Sequence, residues 1–328
     1  MSAQAVSGSG ASGTPWRVVE LRPLPRISGA AIISRDNKKL LAENVFVEIE
    51  RGEAVLLPFQ GGSTLRSWAL SSDGRLAAAF VSGWRGERGT ERWYGVSIAD
   101  VANPGDLRTV ELPESAVGLV MFNRANTHIA AVAFGATYIV NVASGKVERR
   151  LGIGDYRDFA LSPDFGQYAV VQTRWPETDR QAKLSERGAL QVVLFNTATG
   201  KEVRRYEPLQ GRSSFRVMFS GDGTHLLMGE CGVLELATGR FHEQPMGLAV
   251  CVYEPMVEGR YVLMRGEQAS AVWDVKRGKV HALELPEVTT DEQRMVVEAL
   301  SADGTTVVVN RYSAARGREN YVARLIRE

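Results

Sequence analysis

Cysteine is almost absent from this sequence: Cys231 and Cys251 are the only two among 328 residues. Two cysteines are too few for a disulfide framework, and their separation does not match the short spacing of a metal-binding cysteine pair. Free cysteine is among the residue types most often buried, so we expect both to be buried thiols.

An excess of charge of one sign is also missing, because 39 basic and 38 acidic residues leave a net charge of +1. No long-range field therefore draws the whole molecule towards nucleic acid or an anionic membrane. No apolar run reaches the roughly 18 residues that a membrane-spanning helix needs. The start, MSAQAVSGSGASGTP, has neither the basic nor the apolar region of a signal peptide. We therefore expect a cytoplasmic protein with a disordered tail at residues 1–15.

Sequence motifs of catalytic sites are likewise lacking. GSGASG, at residues 8–13, has the spacing of a dinucleotide-binding loop, but it lies in a polar tail and not between a strand and a helix. There is no Gly-x-Ser-x-Gly nucleophile elbow, no phosphate-binding Walker loop and no zinc-binding helix motif. The sequence thus predicts no catalytic residue, no metal site and no cofactor.

The four histidines and several aspartates stand beside turns. We interpret the histidines as solvated turn residues, and the aspartates as turn formers whose side chains bond the backbone two residues further on. Neither set has the clustering of metal ligands or paired acids. These residues are His128, His225, His242 and His281, and Asp73, Asp164, Asp222 and Asp303.

What the sequence does have is an internal repeat. The stretch LSSDGRLAAAF, from Leu70, returns in variant form from Ile33, Leu161, Phe219 and Leu300. Each copy has an apolar run, a turn built on Asp-Gly or Asn, and a second apolar run. This pattern predicts two antiparallel strands joined by a tight turn.

A third strand and a second turn follow the repeated hairpin. Examples are TYIVNVASGKVERRL, from Thr137, and LQVVLFNTATGKEVRRY, from Leu190. A glycine supplies the positive backbone angle that this second turn needs. The glycines concerned are Gly145, Gly200, Gly239 and Gly278. Each repeat unit therefore has four strands.

The repeat units number seven by their first hairpins. A repeat of about 40–50 residues with four strands is typical of β-propeller blades. First strands such as LVMF are mostly continuous apolar runs, which predicts burial on both faces. We therefore predict an all-β fold, a seven-bladed β-propeller with four-stranded blades, as one domain over residues 16–328. The units begin near Ile33, Leu70, Phe122, Leu161, Phe219, Tyr253 and Leu300.

The two chain ends complete one unit between them. The last unit stops at NYVARLIRE, after its third strand, whereas WRVVELRPLP at residues 16–25 resembles the fourth strands LRTVELP and VHALELP. We expect this N-terminal strand to complete the last blade and close the ring, which leaves no open edge between blades.

On these motifs the chain resembles the WD-repeat family, with degenerate repeats. One unit carries the dipeptide Trp273-Asp274 at the end of its third strand, although the family's Gly-His pair is missing. The hairpins are also similar to those of bacterial propellers, including the periplasmic Tol propeller and those attached to prolyl-oligopeptidase-type enzymes. Arginine outnumbers lysine 32 to 7, which suggests a high-GC bacterial genome. These relatives differ in function, so the resemblance implies a fold and a rigid platform rather than one activity.

Three connections between second and third strands are longer than the repeat requires: residues 82–93, 172–188 and 310–320. In a propeller they emerge on the face opposite the Asp-Gly turns. They combine aromatic and arginine side chains, which are enriched at interface hot spots. The alternative is that they are tolerated insertions whose balanced charges form a solvated surface. The expected partner-binding residues are Trp84, Arg85, Arg88, Arg92, Trp93, Arg174, Trp175, Arg180, Arg311, Tyr312 and Arg316.

Two functions are consistent with these features. The first is a non-enzymatic scaffold or adaptor in a bacterial multi-protein system, a monomeric propeller that binds a protein partner through the long-loop face. The alternative is a small-molecule or anion binder or enzyme, similar to lactonase-type propellers, with Arg66, Arg157 and Arg216 as anion ligands in the central funnel. The balanced charge of the long connections argues against nucleic acid, which favours a one-sided basic surface.

Overall fold

The described part of the chain is built entirely from strands and turns. A computed structural model describes residues 13–25, 27, 31–42, 44–59, 67–85, 91–113, 119–133, 135–152, 159–174, 189–207, 217–228, 232–244, 249–250, 260–265, 270–286, 293–313 and 317–327. The all-β prediction is confirmed within these ranges. They contain no helix, and hence none long and apolar enough to cross a membrane. Cys231 and Cys251, the predicted buried thiols, lie outside them.

After an N-terminal strand, five four-stranded sheets follow one another along the chain. The first three sheets contain β2 to β13, four strands each. Within each sheet, strands that are consecutive in the sequence pair antiparallel. The strands of this part are β1 (Trp16–Leu24), β2 (Ala31–Ile33), β3 (Lys39–Ala42), β4 (Val45–Glu48), β5 (Glu53–Leu56), β6 (Trp68–Leu70), β7 (Leu76–Arg85), β8 (Glu91–Asp100), β9 (Asn103–Leu112), β10 (Leu119–Phe122), β11 (His128–Ala133), β12 (Ala136–Asn141) and β13 (Lys146–Gly152).

The rest of the chain continues the same construction. We call the five separate sheets blade 1 (β2–β5), blade 2 (β6–β9), blade 3 (β10–β13), blade 4 (β14–β17) and blade 5 (β18–β21). The remaining strands are β14 (Phe159–Leu161), β15 (Gln167–Arg174), β16 (Ala189–Asn196), β17 (Glu202–Arg205), β18 (Val217–Phe219), β19 (His225–Met228), β20 (Gly232–Glu235), β21 (Phe241–Glu243), β22 (Ala249–Val250), β23 (Tyr261–Arg265), β24 (Ser270–Asp274), β25 (Lys279–Glu284), β26 (Gln293–Leu300), β27 (Thr306–Ser313) and β28 (Gly317–Ile326).

The last strands do not form separate blades. They lie with β1 in one eight-stranded sheet, in the order β22-β23-β24-β25-β1-β28-β27-β26. The structure therefore has propeller-like four-stranded blades, five of them separate, and not seven separate ones. One physical cause is that the N-terminal segment bonds on both sides. The Gly13 N–H donates to the Val280 carbonyl of β25 (3.2 Å), and β1 pairs with β28.

Two compact units can be distinguished. One comprises residues 1–16, 157–284 and 327–328, and contains blades 4 and 5 with β22–β25. The other comprises residues 17–156 and 285–326, and contains blades 1, 2 and 3 with β26–β28 and all of β1 after Trp16.

In five of the repeats the first turn is held by a serine that the sequence analysis overlooked. In blade 4 the Ser162 hydroxyl donates to Asp164 Oδ1 (2.6 Å), and the same oxygen accepts from the Gly166 N–H (2.9 Å). The Ser162 Oγ in turn accepts from the Gln167 N–H (2.9 Å). The predicted role of the aspartates as turn formers is confirmed. The same Ser-to-Asp bond, 2.6–2.7 Å long, occurs at Ser34–Asp36, Ser71–Asp73, Ser220–Asp222 and Ser301–Asp303.

The second turn also matches the sequence. The glycine predicted for this turn has a positive φ in each of four units, between 65° and 78°. A side chain at such a position would be strained, so glycine is the residue that fits. These are Gly145, Gly200, Gly239 and Gly278.

Within each unit, the core lies between the faces of neighbouring sheets, and the middle strands carry most of it. In blade 1, Leu40 and Leu41 of β3 are fully buried, whereas Ile32 and Ile33 of β2 are only partly buried. Leu119, which opens β10, is 40% exposed. The prediction that first strands are buried on both faces is therefore wrong for these blades, because the first strand is a short strand at the edge of its sheet.

The predicted pairing of the N-terminal strand with the last strand is confirmed. β1 runs antiparallel to β28, with Val18 opposite Leu325 and Leu24 opposite Asn320. Trp16 is 3% exposed; its ring packs edge-on against Tyr261 in the same unit, with the ring centroids 5.2 Å apart.

Arginines of fourth strands tie neighbouring blades together. Arg108 of β9 donates to the carbonyls of Val142 and Ala143, which follow the third strand of blade 3. Arg204 of β17 donates in the same way to the Leu236 carbonyl of blade 5 (2.6 Å). Charged donors make the stronger hydrogen bonds, so these contacts fix the spacing of adjacent blades.

Candidate functional site

The candidate site lies where β7 and β8 of blade 2 extend beyond the core. The predicted loop at residues 82–93 is mostly strand, since β7 continues to Arg85 and β8 begins at Glu91. Ser82 pairs with Tyr94 in a register that runs unbroken to Arg85 opposite Glu91. The expectation of a long loop is wrong here because strand pairing satisfies the backbone groups that a loop would leave to water. We call residues 82–85 and 91–94 the blade 2 hairpin.

The blade 2 hairpin projects past its neighbour. β7 and β8 have ten residues each, whereas β11 and β12 of blade 3 have six. Four extra residues extend a strand by about 13 Å. Deeper in the blade, Phe80 and Val96 pack against Ile129 and Tyr138 of blade 3. Tyr94, at the base of the extension, still packs against this cluster, whereas Trp84, farther out on the same face, is largely exposed.

Aromatic and arginine side chains occupy that continued face. Trp84 stands directly opposite Arg92 across the two strands and is 64% exposed. The Arg92 guanidinium carbon lies 5.6 Å from the Trp84 ring centroid and 5.2 Å from the Tyr94 ring centroid. Both distances are within the range of a cation–π contact. The face thus presents an indole and a guanidinium side by side.

The opposite face of the blade 2 hairpin is closed by packing and ion pairs. A Cβ at Gly83 would lie 2.6 Å from Trp93 Nε1, so the indole of Trp93 rests directly on the glycine backbone. Arg85 donates to both oxygens of Glu111 (2.9 and 2.8 Å) and to Glu91 (3.2 Å). Glu91 and Glu111 together raise the pKa of Arg85. The hydrogen-bond donors of Arg85 are therefore engaged by carboxylates of the protein itself.

The hairpin between β27 and β28 repeats the arrangement. The predicted loop at residues 310–320 is again mostly strand, and Tyr312 stands opposite Arg318. The Arg318 guanidinium carbon lies 5.8 Å from the Tyr312 ring centroid, and Tyr312 is 37% exposed. On the next row, Arg311 and Glu319 are opposite each other, with Nε and Oε2 4.0 Å apart. We call residues 310–313 and 317–320 the terminal hairpin.

The structure describes the side chains of six of the predicted partner-binding residues. All six belong to the two hairpins described above. Arg174 ends β15, and its side chain is not described. The residues placed are Trp84, Arg85, Arg92, Trp93, Arg311 and Tyr312; Arg88, Trp175, Arg180 and Arg316 lie outside the described residues, as do the funnel candidates Arg66, Arg157 and Arg216.

Sequence reasoning missed Tyr94 and Glu111 as members of the site. Alternation along β8 gives the signal for Tyr94, since residues two apart share a face and Arg92 was already a candidate. Glu111 has no such signal, because it belongs to β9 and meets Arg85 only through the sheet.

The histidines take part in local contacts. His128 Nε2 donates to Glu148 (2.9 Å), and this bond lowers the pKa of that carboxyl. Burial lowers the pKa of His225 and of His242. His281 stacks on Trp16 and donates from Nδ1 to a backbone carbonyl. In the ranges that the structure describes, no three His, Cys, Asp or Glu side chains are grouped so that they could hold a metal ion.

No protein-family model matches the sequence, and no curated protein matches it significantly.

Proposed function

We propose that this chain is a non-enzymatic protein-interaction scaffold, or adaptor, of a bacterial multi-protein system. In this proposal it is a seven-bladed WD-repeat-like propeller that binds a protein partner through the face bearing the extended hairpins. The observation that carries the proposal is the exposed Trp84, held beside Arg92 on a rigid strand pair. Tryptophan and arginine are the side chains most enriched at binding hot spots.

The blade number follows if the eight-stranded sheet is divided in two. Strands β22–β25 make one four-stranded set, and β26–β28 with β1 make another. Added to the five separate blades, these sets give the seven units that the repeats predict. A fold of this kind offers a rigid platform for partner binding, although the fold alone does not determine the function.

A protein partner fits the charges of the blade 2 hairpin better than a nucleic acid does. Its described residues include two arginines, Arg85 and Arg92, and Glu91, with Glu111 alongside on β9. Carboxylates within the surface repel a phosphate backbone, which needs several unopposed cations. A mixed surface with an exposed aromatic side chain is typical of protein interfaces.

The proposal is tested by shortening both hairpins. Ser82 and Tyr94 are a cross-strand pair, so an Asn-Gly turn can join them directly in place of residues 83–93. Arg311 and Glu319 can be joined in the same way in place of residues 312–318. We expect wild-type protein to retain a partner in co-purification from its native host, and the shortened protein to lose it while keeping its melting temperature.

The partner is then identified, purified and mixed with the wild-type and shortened proteins in a binding titration. An Arg75→Gln variant, altered at the Asp-Gly turn of blade 2, serves as a matched control and should bind as the wild type does. Equal affinity of the wild-type and shortened proteins for the purified partner would contradict the proposal.

A further inference from the structure

Arg92 differs from the arginine beside it in having no carboxylate partner among the residues that the structure describes. Arg85 makes three hydrogen bonds to two glutamates. Across the described ranges, Arg92 has contacts with the rings of Trp84 and Tyr94 but no ion pair with a carboxylate. An exposed, always charged guanidinium with its donors unused is a site for an anion supplied from outside.

The surroundings of Arg92 keep it in place for that role. Trp84 and Tyr94 flank it at 5.6 and 5.2 Å, and the paired strands beneath fix all three side chains on one face. Ring contacts engage the face of a guanidinium and leave the N–H groups at its edge available for a carboxylate. The indole of Trp84, 64% exposed, adds apolar area next to these donors.

We propose that Arg92, Trp84 and Tyr94 form a receptor for an acidic segment of the protein partner. A carboxylate of that segment pairs with Arg92, and an apolar side chain next to it in the partner's sequence packs on the Trp84 indole. This inference rests on the proposed function and adds the chemistry that the partner must carry. Charge complementarity supports the choice of occupant, because Arg92 is the cation of the blade 2 hairpin that no carboxylate within the described ranges neutralises.

The ion pairs around Arg85 set the limits of the receptor. Glu91 of β8 and Glu111 of the neighbouring strand β9 bring negative charge to the opposite face of the sheet. A long polyanion would meet these carboxylates, whereas a single carboxylate on the Arg92 face would not. The geometry therefore favours a segment with an isolated Asp or Glu beside an apolar residue over a run of acidic residues.

The first test is selection from a phage-displayed library of random twelve-residue peptides on the immobilised full-length protein. We expect the selected peptides to share an Asp or Glu next to an aromatic or aliphatic residue. Recovery of peptides without a common acidic position, or of none above background, would overturn the inference.

The second test measures a selected peptide, labelled with fluorescein, by anisotropy. Arg92→Gln and the peptide's Asp→Asn or Glu→Gln counterpart should each weaken binding about tenfold or more, and together by little more than either alone, because they remove the same pair. Trp84→Ala should weaken binding of both peptides. The control Arg75→Gln should bind unchanged, and additive losses would contradict a direct pair.

Failure of this inference can be told apart from failure of the proposed function. If the purified partner binds Arg92→Gln as tightly as the wild type but fails to bind the shortened protein, the scaffold function stands and the receptor is wrong. If a fluorescein-labelled single-stranded oligonucleotide binds the wild type tightly and Arg92→Gln weakly, the site binds nucleic acid and the inference is wrong.

Discussion

At the scale of single residues, the repeated first turn depends on a serine two positions before its aspartate. In blade 4 the Ser162 hydroxyl is the largest influence on Asp164, and with the Gly166 N–H it holds the pKa of that carboxyl below its ordinary value. Both bonds favour the ionised carboxylate. The turn is therefore stabilised by the negative charge of Asp164, which accepts hydrogen bonds from the Ser162 hydroxyl and the Gly166 N–H.

Replacing this serine should make the turn's contribution to stability smaller and change its pH dependence. Ser162→Ala removes bonds to Asp164 and Gln167, and we expect the free energy of unfolding to fall by about 1 kcal/mol at neutral pH. A carboxyl whose folded pKa is lowered stabilises the protein above its unfolded pKa and loses that effect as the pH falls through the folded value. The difference between wild type and variant should therefore shrink below about pH 4.

Urea unfolding followed by tryptophan fluorescence, at neutral and acid pH, measures this difference. Ser144→Ala is the matched control, since among the described residues the Ser144 hydroxyl accepts only a long bond from the Lys146 N–H (3.3 Å). A loss for Ser162→Ala that is the same at every pH would contradict the role given to Asp164.

At the scale of elements, β1 is the strand whose partner is farthest away along the chain. It contributes two buried side chains, Trp16 and Val18, each 3% exposed, and a ladder of bonds to β28. Burying one such side chain contributes about 1.5–3 kcal/mol, so the strand stabilises the protein by several kilocalories per mole before its ordering entropy is counted.

Removing β1 should therefore lower the melting temperature, and supplying it as a peptide should restore it. We expect a chain without residues 1–25 to melt about 5 °C lower or more, and a synthetic peptide of residues 13–25 to recover most of the loss. Differential scanning fluorimetry follows both. The same peptide with Trp16→Ala and Val18→Ala is the control; equal recovery by the two peptides would show that the buried side chains do not secure the strand.

At the scale of the whole molecule, protection from solvent follows strand position within each sheet. Second and third strands hold most of the fully buried side chains, among them Leu41, Leu227 and Val308. Fourth strands are far more exposed: all four residues of β17 are exposed, as are most of β13. Edge strands also turn half of their N–H groups away from the ladder.

Amide hydrogen exchange should report this order. We expect β3, β19 and β27 to exchange slowest and β13 and β17 much faster, because edge strands open locally without loss of the core. Mass spectrometry of peptic fragments after timed deuteration measures the rates. Protection of β13 and β17 equal to that of β3 would contradict this view of the fold.

The two turns and the order of the strands could be predicted from the sequence because each depends on short-range chemistry. Asp164 bonds the backbone two residues away, and Gly145 supplies a local backbone angle. The length of the hairpins was not predicted. The sequence predicted Trp84 and Arg92 as loop residues. Their strand structure depends on backbone pairing between two positions eight residues apart, which a local pattern does not show.

The sequence by itself thus determined the all-β class, the four-strand repeat and the pairing of the first strand with the last, since these follow from apolar periodicity, turn residues and the incomplete last unit. Only the tertiary structure decided which arginine of the blade 2 hairpin is neutralised. Arg85 meets Glu111 from another strand, whereas Arg92 meets aromatic rings and keeps its charge unpaired among the described residues. The physical reason is that alternation within a strand is local, whereas the identity of the neighbour across a sheet depends on register between distant segments.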